Sequence, residues 1–154
     1  MSLIITLRNT NLRSYDNMTV SILNVGEYVV SRRDNKRMSR QMLNSVLYFV
    51  QERYIEKEGE PLFKETFLKK GLFPCSAVLD AAFTNQGYIE QSELSEFKKK
   101  LNQKHRVVID EVLEEFTNAT SKTIAMRLSG DKAWESTSEG KVITVKALKG
   151  EKEI

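Results

Sequence analysis

This 154-residue chain has one cysteine, Cys75, one histidine, His105, one tryptophan, Trp134, and two prolines, Pro61 and Pro74. A single thiol excludes an intramolecular disulfide, and without a Cys-x-x-Cys or Cys/His grouping the sequence assembles no structural zinc site. Cys75 precedes a predicted helix start, where backbone amides lower a thiol pKa, but a lone cysteine is read first as small core packing. A Ser-His or Cys-His nucleophile would depend on His105 alone. Flanked by Lys104 and Arg106, that histidine is read as a surface residue at a charged helix start. Neither a Gly-x-x-x-x-Gly-Lys loop nor a dinucleotide fingerprint is present. The expectation is no catalytic residue, no metal, no cofactor and no enzyme. No apolar run approaches the roughly 20 residues that cross a bilayer, so no membrane partner is expected. The missing basic-apolar-small leader pattern points to a cytoplasmic protein. Charge of one sign is not in excess either: 24 basic against 21 acidic residues leave +3, too balanced to attract nucleic acid over the whole surface.

What is present fits one domain over residues 1–154, since 40% hydrophobic and 29% charged residues match a soluble globular composition. No internal repeat or Pro/Gly/Ser-rich linker divides the chain. Leu3 to Leu7 is β-prone, and Val142 to Leu148 alternates so that Ile143, Val145 and Ala147 share a face; the two are expected to pair as strands. Between them the pattern is helical. Thr19 is placed as the cap of a first helix running to about Arg33, with Ile22, Val25 and Val29 at helical spacing. Gly26 within it is read as permitting close approach of a neighbouring backbone. Ser39 caps a second helix whose stripe Leu43, Val46, Leu47, Val50 and Tyr54 is widened by Met42 and Phe49, an arc broad enough to be buried on more than one side. Gly59 and Pro61 end it, and Leu62 and Phe63 follow as apolar anchors. Thr66 to Leu68 reads as a short extended piece, and Ser76 caps a third helix carrying Val78, Leu79, Ala82 and Phe83. Residues 90–104 read as an exposed helix or mobile connector. A fourth helix carries Ile109, Val112, Leu113 and Phe116, with Asp110, Glu111, Glu114 and Glu115 as a solvated face. Thr120 or Ser121 starts a fifth, which Gly130 stops. The fold class is therefore all-α (mainly α): a compact single-domain helical bundle around a central helix, with a minor short β element.

The stretch from Leu43 to Phe83 carries the strongest pattern. Val46-Leu47-Tyr48-Phe49-Val50-Gln51 is followed by Gly59-Glu60-Pro61-Leu62-Phe63, then Phe73-Pro74, and later Asp131-Lys132-Ala133-Trp134. This order resembles the Panacea antitoxin domain of phage-associated proteins and toxin–antitoxin pairs, in which a "LQKLLYYAQ" helix leads to "GKPLF" and a third helix. The segment 107–116 is similar to that family's "LDEVLEKY". The similarity covers about residues 20–135, leaving 1–18 and 136–154 peripheral. Leu43, Leu47, Tyr48, Gln51, Gly59, Pro61, Leu62, Phe63 and Pro74 correspond to structural positions of the motif. Leu72, Phe73, Ala77 and Ala133 depart from it, and Ser129 stands where a histidine is often found, so no role of that histidine carries over. The resemblance implies a phage- or mobile-element-associated protein that neutralises a cognate toxin by direct contact, some relatives being suspected of acting as proteolytic adaptors.

The densest polar cluster is Arg32, Arg33, Lys36, Arg37 and Arg40, between the first two helices. Five cations this close suit phosphates or an acidic protein, which makes a small nucleic-acid-binding regulator the alternative reading. The simpler reading is that cations near a helix C-terminus favour its dipole. Trp134 is either a core anchor or a binding hot spot. The expected partner is a toxin protein in preference to nucleic acid.

Overall fold

The computed structural model describes residues 20–84 and 86–151, which are mainly α-helical with two small antiparallel sheets. Helix α1, Ile22–Ser31, starts at Ser21: the Ser21 hydroxyl accepts from the Asn24 N–H at 3.1 Å, and the Asn24 side chain accepts from the Ser21 N–H at 2.8 Å. This reciprocal capping box fixes the start two residues beyond Thr19. Thr19 and the expected strand Leu3 to Leu7 lie outside the described residues. Ile22, Val25, Val29 and Val30 are fully buried, as the helical spacing requires.

Gly26 does not serve a close backbone approach. A Cβ placed there would meet only side chains, Leu47 Cδ1 at 3.9 Å and Leu43 Cδ2 at 4.0 Å, which is ordinary contact. Gly26→Ala is accordingly expected to stabilise the protein by about 1 kcal/mol through helix propensity. Urea unfolding checks this, and a lowered midpoint would contradict it.

Strand β1, Arg37–Ser39, leads into helix α2, Arg40–Glu58, whose Met42 N–H bonds to the Ser39 hydroxyl at 3.0 Å. All seven apolar residues assigned to its stripe are buried, together with Asn44, Ser45, Tyr48, Gln51 and Ile55. Gly59 ends it in the left-handed region, φ 79°, its N–H reaching the Ile55 carbonyl at 2.8 Å. There a side chain would be strained, which is why glycine occupies the site.

Strands β2, Phe67–Lys70, and β3, Phe73–Ser76, form a hairpin that turns at Gly71, φ 72°. β3 is an outer strand of a sheet ordered β3-β2-β5, where β5 is Val142–Ile143, and Pro74 is tolerated in it for that reason. β5 is only Val142–Ile143 and pairs with β2. The expected strand over Val142 to Leu148 is thus cut short. The Thr144 hydroxyl accepts from the Ala147 N–H at 3.0 Å and turns Val145–Leu148 into a helical turn, α7.

Ser76 caps helix α3, Ala77–Ala82, which buries Leu79 and is followed by buried Phe83, whereas Val78 and Ala82 are exposed. Strand β4, Tyr88–Glu90, pairs with β1. The segment after it takes the helical form of the two expected: a largely exposed 3-10 helix, Gln91–Phe97, is anchored by buried Leu94, and Leu101 is buried beyond it. The Asn24 side chain also donates to the Phe97 carbonyl at 2.6 Å, tying this segment to α1. Helix α4, Gln103–Glu115, is capped by Asn102. Helix α5, Ser121–Ser129, is capped by Thr120, and α6, Lys132–Ser136, by Asp131. No helix among the described residues is long and apolar enough to cross a membrane.

His105 is not at the surface. It is 1% exposed, lies edge-on to the Tyr54 ring at a centroid distance of 5.7 Å, and its Nδ1 has no partner among the described residues. Burial, then the charges of Lys104 and Lys99, depress its pKa, with Glu58 opposing. The unfolded chain therefore binds a proton that the folded chain resists, and stability falls as pH drops below about 6.5, the unfolded value. His105→Phe is expected to remove this acid-side loss. Unfolding midpoints of both proteins across that range measure the difference, and parallel curves would refute the assignment.

Candidate functional site

The connector after α1 is shaped by Lys36, which takes φ 53° while its Nζ donates to the Ser31 carbonyl at 2.6 Å. The chain reverses there, and the cations that are neighbours in sequence take different carboxylate partners, although Arg32, Arg33 and Arg37 share one groove. Arg32 faces Asp110 of α4, with Nε 3.8 Å from its carboxylate. Arg37 meets Glu90 of β4 at 3.6 Å and lies over the Tyr88 ring at 4.3 Å. Arg40 turns to α3, reaching Asp80 at 3.9 Å and donating to the Phe83 carbonyl at 3.2 Å. Such half-exposed pairs add little stability, but each places a carboxylate beside a cation that phosphate would need.

Beside the connector lies an open groove of about 910 Å³. Its lining brings Arg32, Arg33 and Arg37 together with Asp34, Asp110 and Glu114, and includes Met38, Met42, Tyr88 and Phe116. Asp110 is held in place by the Tyr28 hydroxyl, which donates to it at 2.9 Å. Burial, followed by that carboxylate, raises the Tyr28 pKa. A ligand here meets apolar as well as charged side chains. Sequence reading missed that Asp110 and Glu114 join the arginines in this lining.

The remaining carboxylates of the α4 face are partly exposed and ion-paired. Glu111 meets Lys57 at 2.7 Å and Arg53 at 3.7 Å, and Glu115 meets Arg53 at 2.8 Å and Arg127 at 2.7 Å. Burial pushes the Glu115 pKa up, but the two arginines outweigh it and hold the carboxyl below its ordinary value. No group of three His, Cys, Asp or Glu among the described residues is placed to hold a metal. Cys75 is half-buried, and burial with a hydrogen bond to Asp80 pushes its thiol up to about 11, so it is protonated at neutral pH.

The motif residues have definite structural work. Leu43 and Leu47 are fully buried, and Pro74 is buried in β3. The Gln51 amide acts as a piece of backbone: its Nε2 donates to the Phe63 carbonyl at 2.7 Å and its Oε1 accepts from the Leu62 N–H at 2.8 Å. That clamp holds the chain after exposed Pro61 against α2 and buries Leu62 and Phe63. The Tyr48 hydroxyl donates to Asp131 Oδ1 at 2.8 Å, and the same oxygen accepts from the Trp134 N–H at 2.9 Å. Trp134 is 6% exposed, its ring edge-on to Tyr48 at 6.3 Å and covered by Lys69 Nζ at 5.0 Å. Of the two readings, core anchor and binding hot spot, this burial supports the core anchor. No protein-family model matches this chain, and neither does a curated protein or a solved structure.

Proposed function

We propose that this chain acts by binding another protein, as an antitoxin-like protein of phage or mobile-element origin that neutralises a cognate toxin by direct contact at the groove. In this reading the domain is a bundle packed around α2. The observation that carries it is the groove's mixed charge, Arg32, Arg33 and Arg37 together with Asp34, Asp110 and Glu114. A nucleic-acid backbone presents one sign of charge and would be repelled by these carboxylates, whereas a protein surface supplies both signs. The resemblance to the Panacea antitoxin domain names the class of partner.

Co-expression with the product of a neighbouring toxic reading frame tests the proposal. The expected result is restored growth and co-purification, both weakened by the double reversal Arg33→Glu and Glu114→Lys. Growth not restored despite good expression, together with tight operator binding that falls steeply with salt, would favour the regulator.

A further inference from the structure

Strand β1 is bonded to β4 through alternate residues. The Arg40 N–H reaches the Gly87 carbonyl at 3.0 Å and the Gln91 N–H reaches the Lys36 carbonyl at 2.9 Å, with Met38 opposite Ile89 between them. Neighbouring residues of a strand turn their backbone groups to opposite sides, so those of Arg37 and Ser39 point to the other border of β1. Among the described residues no third strand stands there, since this sheet consists of β1 and β4. Nor do the Ser39 N–H and the Arg37 carbonyl have a hydrogen-bond partner among these residues, and the Arg37 N–H has only the Asn35 side chain at 3.4 Å.

This free border opens on the groove. Arg37, Met38 and Ser39 all line it, and successive strand side chains point to opposite faces, so a cavity that meets three in a row runs along the strand's border. From β4 only Tyr88 joins the lining. Met42 and Phe116 add apolar side chains, and Arg33, Asp34 and Glu114 add charges that carry no ion pair among the described residues.

We propose that an extended segment of a partner protein adds to β1 as a third strand in this groove, pairing its backbone with the Ser39 N–H and the Arg37 carbonyl. The inference rests on the groove being the protein-binding site and names its mode: main-chain hydrogen bonds supply affinity and side chains select. A segment residue opposite Met38 lies on the Met38 face, which suits an apolar side chain, and its two neighbours turn to the face of Arg37 and Ser39. Charges of both signs along the segment complement Arg33 on the one hand and Asp34 and Glu114 on the other.

The probe is a library of random short peptides, displayed on phage and selected against the full chain. No toxin enters the experiment, so a failed growth rescue is a separate result. Selected peptides are expected to slow hydrogen exchange of the Ser39 amide. Backbone N-methylation scanned along one such peptide should weaken binding at every second residue, because only alternate N–H groups of an added strand face β1. Ser39→Pro removes the free donor at a position whose φ of −62° already suits proline and whose preceding residue, Met38, is in a strand. It also loses the hydroxyl that caps α2, so the comparison is with Ser39→Ala, which loses the same hydroxyl and keeps the N–H. Ser39→Pro is expected to bind at least about tenfold more weakly than Ser39→Ala, because a peptide carbonyl is left unpaired. Unchanged Ser39 exchange, a methylation scan without alternation, equal binding by the two variants, or a library that yields no binder overturns the proposal. Protection of the Ser39 amide without peptide, rising with protein concentration, overturns it as well, by giving the border to a second copy of the chain. Where Ser39→Pro fails to fold, the methylation scan decides, since it leaves the protein unaltered.

Discussion

Leu47→Ala is expected to lower the unfolding free energy by roughly 2 to 5 kcal/mol, read as a reduced urea midpoint at unchanged slope. Leu47 is fully buried in α2 and its Cδ1 faces Gly26 of α1, where no side chain can move in to fill the space. Truncation thus leaves a cavity between two helices. An unchanged midpoint would show that α2 does not pack against α1 in this way.

Gln51→Leu is expected to cost about 3 kcal/mol or more, although it puts an apolar residue into a buried site. Gln51 is 2% exposed, and its amide is the partner of both the Leu62 N–H and the Phe63 carbonyl. Leucine leaves both backbone groups buried and unpaired, and an unpaired buried group loses about 1 to 3 kcal/mol. Faster proteolysis around residues 59–66 should accompany the loss, because the clamp holds this return segment on α2. A leucine variant as stable as the wild type would show that water or a rearranged backbone satisfies these groups.

The parts of the fold that were legible in the sequence are those governed by local chemistry. Ser39, Ser76 and Thr120 cap helices, Gly59 ends one in a left-handed turn, and the wide apolar arc of α2 is buried. Where two local signals competed, the weaker-looking one won. Residues 143, 145 and 147 alternate like a strand, but the Thr144 cap decided for a helical turn. The flanking charges of His105 suggested solvent, yet it stands one turn before buried Ile109, on the apolar face of α4. In residues 90–104 the lysines and glutamates obscured Leu94 and Leu101, which anchor the segment.

The groove was illegible for another reason. Nothing local to Asp110 points to Tyr28, its hydrogen-bond donor 82 positions away, or to Arg32. The arginine cluster is divided by the fold, since Arg32, Arg33 and Arg37 share the groove while Arg40 turns to Asp80.

The open side of the small sheet bears on how a partner can attach. Alternate N–H positions of a strand point to the same side. In β3 the Ser76 N–H points away from β2 and is taken by the Asn44 side chain at 2.8 Å. Two residues earlier, on that same side, stands Pro74, with no N–H to offer. The β3 border of the sheet thus has no free outward donor at Pro74 or Ser76, which hinders strand addition along it. A protein that meets this border has to read its side chains.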